Sequence, residues 1–162
     1  IQTAIQQVSE DAQIILHGVS MGGATVLMTS GEPLPEQVKC IVSDCAYTSV
    51  KDILSYQCKR IYKIPAFPFV GVTSLICKLR AGYFFGEASS LKQLEQAKKP
   101  ILFIHGSEDV FVPTPMIDQL YNHCPTYKEK LLVSGAGHGL AYATDPAGYE
   151  SAVQTFLQRF VR

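Results

Sequence analysis

Short segments made only of large apolar residues recur along the chain, and they constrain its fold more than any other feature. They are residues 14–16, 40–42, 101–104 and 131–133, and each is too short to be a helix. A strand that is apolar at every position is buried on both faces, which is typical of parallel sheets covered by helices. The sequence therefore predicts an α/β fold with a mostly parallel sheet flanked by helices.

Helix signals lie between these strands. Apolar residues at helical spacing predict a first helix near the start of the chain (Ile1, Ala4, Ile5, Val8), a second over residues 24–29, and a last one whose stripe runs from Tyr149 to Val161. Capping patterns predict further helix starts. These are the pairs Ser49–Asp52, Ser90–Gln93, Thr114–Pro115 and Asp145–Pro146.

Composition narrows the classes of protein that fit. The 162 residues are 47% apolar and 17% charged, which is typical of one globular domain. Basic and acidic residues number 14 each and form no run of like charge, so we expect neither a nucleic acid nor an anionic membrane as a partner. Five cysteines without a C-x-x-C pair favour free thiols in a reducing compartment, and hence a cytoplasmic protein.

A serine lies between two glycines directly after the first apolar strand. The segment Gly18-Val19-Ser20-Met21-Gly22 matches G-x-S-x-G, and a helical segment follows it. A serine hydroxyl becomes a useful nucleophile when a tight strand-to-helix turn holds it beside a base, and the flanking glycines make room for such a turn. The alternative is a glycine-rich turn with no chemistry.

Two acidic residues follow strands and could orient a catalytic histidine. Asp109 comes after the third strand, within the segment from Gly106 to Pro113, and Asp44 comes after the second. A carboxylate at a strand end can fix an imidazole and stabilise its cation. We prefer Asp109, with Asp44 as the alternative acid.

His138 lies in a glycine-rich loop, Gly135 to Gly139, after the fourth strand. Such a loop can place an imidazole over the carboxyl ends of the strands, where α/β sheets carry their sites. The other histidines have structural explanations, since His17 and His105 end strands and His123 ends a helix.

These motifs together resemble the α/β-hydrolase superfamily, in particular bacterial esterase-like and lipase-like members related to its serine peptidases. The matching segments are Gly18 to Gly23, Phe103 to Pro113, and Gly137-His138. The resemblance implies that Ser20 is the nucleophile, Asp109 the acid and His138 the base. It also implies that the Met21 backbone N–H is one donor of the oxyanion hole, and it implies no metal and no organic cofactor.

The resemblance predicts a serine hydrolase that cleaves a small acyl substrate, an ester, thioester or amide, through an acyl-serine intermediate. The class-level alternative is a non-catalytic binding or interaction module. Residues 50–95 then form a cap-like insertion within one domain spanning 1–162. We expect Phe67 and Phe69 to line an acyl pocket, the alternative being that they pack on the sheet as core.

Members of this superfamily have further strands before the nucleophile, so we expect the chain to be the C-terminal part of the fold. The first strand would then expose an apolar edge between Gln13 and His17. That edge predicts a homodimer through these residues or association with a missing N-terminal half. Such a missing segment could also carry a signal or a membrane anchor.

Overall fold

A four-stranded parallel sheet forms the centre of the molecule, whose computed structural model describes residues 1–9 and 11–161. The strands are β1 (Ile14–Val19), β2 (Val38–Asp44), β3 (Ile101–Gly106) and β4 (Lys128–Val133). They lie side by side in chain order, and every neighbouring pair is parallel. The predicted α/β class with a parallel sheet is confirmed.

Helices lie before, between and after the strands. Within the described residues they are α1 (Gln2–Val8), α2 (Met21–Thr29), α3 (Val50–Arg60), α4 (Phe69–Ala81), α5 (Ser90–Leu94), α6 (Pro115–His123), α7 (Ala141–Thr144) and α8 (Pro146–Leu157). The side chains of Ala4 and Val8, on which the apolar face of α1 was predicted, lie outside the described part. None of the helices in the described ranges is both long and apolar enough to cross a membrane.

The sheet separates two apolar cores. On one face α2, α5 and α6 pack through Leu27, Leu94 and Leu120. On the other face α7 and α8 pack through Ala141 and Phe156. The side chains of a strand alternate between the two faces, which is why a strand that is apolar throughout fits this arrangement.

The predicted cap of α8 is formed, and that of α3 is formed in part. The Asp145 carboxylate accepts a hydrogen bond from the Gly148 N–H at the start of α8. The Ser49 hydroxyl accepts from the Asp52 N–H at the start of α3. The Asp52 carboxylate, however, accepts from the Thr48 hydroxyl, so the reciprocal half of this capping box is not formed as predicted.

Two boundary predictions were wrong, and a third was right in position only. Helix α5 is capped by Ser89, whose hydroxyl accepts from Lys92 N–H, whereas Ser90 lies in its first turn. Helix α6 begins at Pro115 after Thr114 as predicted, but the Thr114 hydroxyl donates to the Gly106 carbonyl oxygen at the end of β3 instead of capping the helix. Helix α8 ends at Leu157, although Val161 beyond it still packs against the core.

Strand β1 is the outermost strand of the described sheet. Its hydrogen-bonded neighbour is β2, and its residues are half-buried or exposed, whereas almost all of β2 and β3 is buried. Pairing of residues 13–17 with another chain or with an N-terminal half stays a prediction.

The cap of α8 gives a direct test of this fold. Replacing Asp145 with alanine removes the acceptor for the Gly148 N–H, so we expect the free energy of unfolding to fall by about 1 kcal/mol. Asp145→Asn keeps an acceptor and should recover most of the loss. Urea unfolding of the three proteins measures this. Equal losses in both variants would show that the side-chain oxygen does not act as a cap.

Candidate active site

Three strand ends bring Ser20, Asp109 and His138 together. Ser20 follows β1, Asp109 follows β3, and His138 follows β4. The Ser20 Oγ lies 2.8 Å from Nε2 of His138, and Nδ1 of the same ring lies 2.7 Å from Oδ2 of Asp109. Because parallel strands end at the same edge of a sheet, residues 118 positions apart meet there.

Ser20 adopts a backbone conformation that L-residues rarely take. Its φ is 55° and its ψ is −113°, and it stands between the last residue of β1 and the first residue of α2. Its N–H donates to the carbonyl oxygen of Asp44 over 2.9 Å. This bond to the neighbouring strand holds the strained turn in place, and the turn directs the hydroxyl toward His138.

The glycines around Ser20 are required by two close backbone approaches. A Cβ on Gly18 would lie 2.2 Å from the Gly22 carbonyl oxygen, and one on Gly23 would lie 2.5 Å from the Asp44 carbonyl oxygen. A Cβ on Gly22 would meet nothing within 4 Å. The turn therefore needs Gly18 and Gly23 as glycines, whereas Gly22, the motif's second glycine, has room for a side chain.

Asp109 is held by three hydrogen bonds. Its Oδ1 accepts from the N–H groups of Phe111 and Val112, at 2.9 and 2.8 Å, and its Oδ2 accepts from His138. The residue is almost fully buried. Two backbone donors compensate the carboxylate for lost hydration and fix its orientation toward the imidazole.

His105 also lies close to Asp109 but does not form an ion pair with it. Its Nε2 is 3.4 Å from Asp109 Oδ2 and 3.0 Å from the Val112 carbonyl oxygen. Burial lowers the pKa of His105, so the ring is neutral and its Nε2–H donates to Val112. Asp109 therefore has His138 as its histidine partner.

The hydrogen bonds of His138 set its tautomer. The Asp109 carboxylate can only accept, so Nδ1 carries the proton and Nε2 is left to accept from the Ser20 hydroxyl. The Phe111 ring packs against the imidazole with 4.9 Å between ring centroids. The ring is thus oriented on one edge by the acid and on one face by an aromatic side chain.

Asp44, the alternative acid, belongs to a neighbouring polar network. The Tyr149 hydroxyl and the Cys45 thiol lie near its carboxylate, and the Tyr149 hydroxyl lies 3.1 Å from Nε2 of His17. Burial raises the pKa of Asp44 to about 6, and hydrogen bonding by Tyr149 and Cys45 opposes that rise.

Cys45 lies beside the site with a φ of 43°. Its Sγ and the ligand atoms of Asp109 and His138 are within 4.8 Å of one another, a grouping that could hold a metal ion. Burial raises the pKa of the Cys45 thiol to about 12, and the histidine and aspartate atoms already bond each other. A protonated thiol is a weak metal ligand and a weak nucleophile, so this group does not favour metal binding.

The remaining predicted residues lie on the surface. Met21 is 71% exposed and begins α2, so its N–H belongs to the first turn, where no intrahelical acceptor exists. Phe67 is 85% exposed and Phe69 50%, which shows that the alternative of core packing was wrong for both.

A cavity of about 540 Å³ lies between α3, α4 and the turn after α4. Phe67, Val70 and Phe84 are among its lining residues, whereas Phe69, Ser20 and His138 are not. The acyl-pocket role of Phe67 and Phe69 stays a prediction, and the described residues give this cavity no wall in common with Ser20.

Sequence reasoning missed several residues that surround the three. Phe111 against His138, Cys45 beside it, and the Tyr149–Asp44 contact all depend on side chains from different elements. The sequence pattern identifies Tyr149 only as part of an apolar helix stripe. The sequence gives one local signal that polar residues surround the site: His17 and His105 each stand just before a glycine at the end of a strand.

The sequence matches the model of the prolyl oligopeptidase family over residues 3–162. It is 29% identical over 142 residues to an uncharacterised protein of Bacillus subtilis, YqkD, which covers 88% of this chain and 47% of that protein. Protein bem46 of Schizosaccharomyces pombe is 26% identical over 135 residues, with 80% of this chain and 40% of that protein covered. The chain thus spans less than half the length of these relatives.

Solved structures share the fold. An esterase of Pyrococcus furiosus superposes with a TM-score of 0.72 at 20% identity, covering 99% of this chain and 59% of the esterase. An acylaminoacyl peptidase of Pyrococcus horikoshii superposes with a TM-score of 0.69 at 16% identity, covering 99% of this chain and 26% of the peptidase. At these identities the likeness concerns the fold.

The steric account of the turn predicts different effects of an alanine substitution at Gly22 and at Gly23. Gly23→Ala places a Cβ against the Asp44 carbonyl oxygen, so we expect the free energy of unfolding to fall by about 2 kcal/mol or more. Gly22→Ala should cause no loss, since its Cβ meets open space and alanine favours a helix by up to about 1 kcal/mol. Urea unfolding compares the two. Similar losses in both would contradict the steric account of the turn.

The raised pKa of Asp44 predicts that the free energy of unfolding depends on pH. Its pKa is raised from 3.8 to about 6 in the folded protein, so the folded state holds this proton more tightly than the unfolded state. The contribution of the neutral acid is complete below pH 3.8 and declines until about pH 6. From pH 4 to pH 7.5, Asp44→Asn should therefore gain about 2 to 3 kcal/mol relative to wild type. A difference between the two proteins that does not change with pH would disprove it.

Proposed function

The chain belongs to the prolyl oligopeptidase family, within the α/β-hydrolase superfamily, and on this premise we propose that it cleaves an ester, thioester or amide through an acyl intermediate on Ser20. Family membership supports a hydrolytic function, and the esterase and peptidase folds it resembles are consistent with one. Because the chain spans less than half of its curated relatives, the activity is proposed for the complete protein.

The continuous hydrogen-bond chain from Ser20 through His138 to Asp109 carries this proposal. The two distances, 2.8 and 2.7 Å, put all three groups in direct contact. The tautomer imposed by Asp109 leaves Nε2 as an acceptor for the hydroxyl proton. A nucleophile, a general base and an orienting acid are the parts that acyl transfer to serine requires.

In the first half-reaction the Ser20 Oγ attacks the acyl carbon while Nε2 of His138 takes the hydroxyl proton. The carbonyl π pair moves to the oxygen, and Asp109 stabilises the imidazolium that forms. When the tetrahedral intermediate collapses, the bond to the leaving alcohol, thiol or amine breaks. His138 returns its proton to that group, and the acyl group stays on Ser20.

In the second half-reaction water replaces the leaving group. His138 removes a proton from the water, the hydroxide attacks the acyl carbon, and the Ser20 oxygen regains the proton as the acid is released. The N–H of Met21 is proposed to donate to the oxyanion in both halves. Its place in the first turn of α2 supports this role, because the helix dipole there favours negative charge.

We further propose that residues 1–162 form the C-terminal part of the hydrolase domain, with a cap-like insertion within residues 50–95. Helix α5 packs into the main core through Leu94, so the part free to act as a cap is α3 and α4. The 59% coverage of the Pyrococcus furiosus esterase supports the partial-domain interpretation.

Covalent labelling separates this proposal from a non-catalytic binding module. A fluorophosphonate probe should label the wild-type protein at Ser20, because only a serine activated by a base attacks phosphorus readily. Ser20→Ala should abolish labelling, His138→Ala should reduce it by several orders of magnitude, and Asp109→Asn should reduce it by about 10⁴. Gel fluorescence and peptide mass spectrometry give the rate and the labelled residue.

Ser151→Ala is the matched control, because this serine is exposed on α8 and is none of the three site residues. Its labelling should equal that of wild type. Labelling of Ser20→Ala at the wild-type rate would disprove the assignment. A folded wild-type protein of native length that takes no label and hydrolyses no ester would favour the binding module.

A further inference from the structure

Helix α4 presents an apolar stripe to the outside of the molecule. Five of its apolar side chains are between 49% and 79% exposed: Phe69, Val72, Leu75, Ile76 and Leu79. Their spacing of three and four residues puts them on one side of the helix. Scattered exposed apolar residues are common, but a continuous stripe of this kind marks a surface that something else covers.

The opposite side of α4 faces the protein. Val70 is buried, Ser74 accepts a hydrogen bond from the Phe85 N–H, and Cys77 is half-buried. The inward face therefore consists of small or polar side chains, while the large apolar ones point outward. A surface helix of a globular protein normally has the reverse arrangement, so packing on the rest of this chain does not account for α4.

The charge of the same region is one-sided. Residues 53–86 contain five of the chain's fourteen basic residues and none of its fourteen acidic ones. The net charge of zero for the whole chain hides this imbalance, because the excess of acid lies elsewhere. This region therefore differs from the rest of the molecule in two properties: it exposes a stripe of apolar side chains, and all its charged residues are basic.

Four of these five cations are exposed, and they lie on α4 or on the end of α3 and the segment that leads to α4. Lys59 and Arg60 end α3, Lys63 follows it, and Arg80 lies in the last turn of α4. The fifth cation, Lys78, pairs with Glu87 at 3.4 Å and is the only one of the five with an ion pair among the described residues. The others remain available to an anionic partner.

We propose that α4 docks on the surface of a lipid bilayer with anionic headgroups. The outward stripe would enter the boundary between headgroups and acyl chains, and the surrounding cations would contact lipid phosphates and carboxylates. Helices that lie in a membrane interface combine an apolar face rich in Phe and Leu with flanking Lys and Arg. The basic residues fit either an anionic bilayer or an acidic protein surface. The continuous apolar centre of the contact favours the bilayer.

Vesicle co-sedimentation tests the proposal with the chain as it exists. Large vesicles of phosphatidylcholine with 30% phosphatidylserine should bind the protein, and pure phosphatidylcholine vesicles should bind it at least tenfold more weakly. Each of Arg60→Gln, Lys63→Gln and Arg80→Gln should weaken binding about fivefold, as expected for one cation near an anionic surface. The double variant Phe69→Ser, Leu79→Ser should weaken it at least tenfold.

Matched controls come from other surfaces. Lys98→Gln removes an exposed cation and Leu132→Ser an exposed apolar side chain, and both should bind as wild type does. Circular dichroism melting confirms that each variant is folded.

Four outcomes would overturn the proposal. One is equal binding to both kinds of vesicle, and another is wild-type binding by the α4 variants. The third is absence of binding together with a dimer that the Leu79 substitution dissociates, which would assign the stripe to a second copy of the chain. The fourth is a longer native chain that neither binds the vesicles nor responds to the α4 substitutions, which would mean that other residues of that chain cover α4.

Discussion

The hydrogen bond from the Ser20 N–H to the Asp44 carbonyl oxygen is the contact on which the arrangement of the site depends. It joins the turn after β1 to the end of β2, where Val19 and Asp44 are already paired in the sheet. The same carbonyl oxygen is the atom that Gly23 approaches most closely. One backbone group of β2 thus fixes both the strained residue and the first turn of α2. The position of the serine hydroxyl follows from the sheet register.

Asp44 and Asp109 show how two buried carboxylates can differ. Asp109 receives two backbone N–H groups and an imidazole N–H, which replace much of the water it has lost. Asp44 receives a tyrosine hydroxyl and a thiol, and its Oδ1 has no hydrogen-bond partner among the described residues. The rise in the pKa of Asp44 reflects this poorer solvation. The two carboxylates thus differ in the number of hydrogen-bond donors that face them, although both are buried.

The sequence predicted the features that depend on short segments. The four strands could be predicted because each is an apolar run, and Ser20, Asp109 and His138 because each follows such a run within a local motif. What it missed depends on contacts between distant segments. The proximity of Tyr149 to Asp44 and the packing of the Phe111 ring on His138 leave no local pattern in the sequence. The cap of α5 was misplaced by one residue because the sequence alone does not distinguish between the adjacent Ser89 and Ser90 as the cap.

The three residues of the site are not equally connected to one another. Asp109 and His138 follow β3 and β4, which are paired along six residues, and only 29 positions separate them in the chain. Ser20 reaches them across β2, from the outermost strand of the described sheet. Strand β2 therefore connects Ser20 to His138. Separation of β1 from β2 would break the Ser20–His138 contact while leaving the His138–Asp109 hydrogen bond and the other two strand pairs intact, so the proposed activity could be lost without global unfolding.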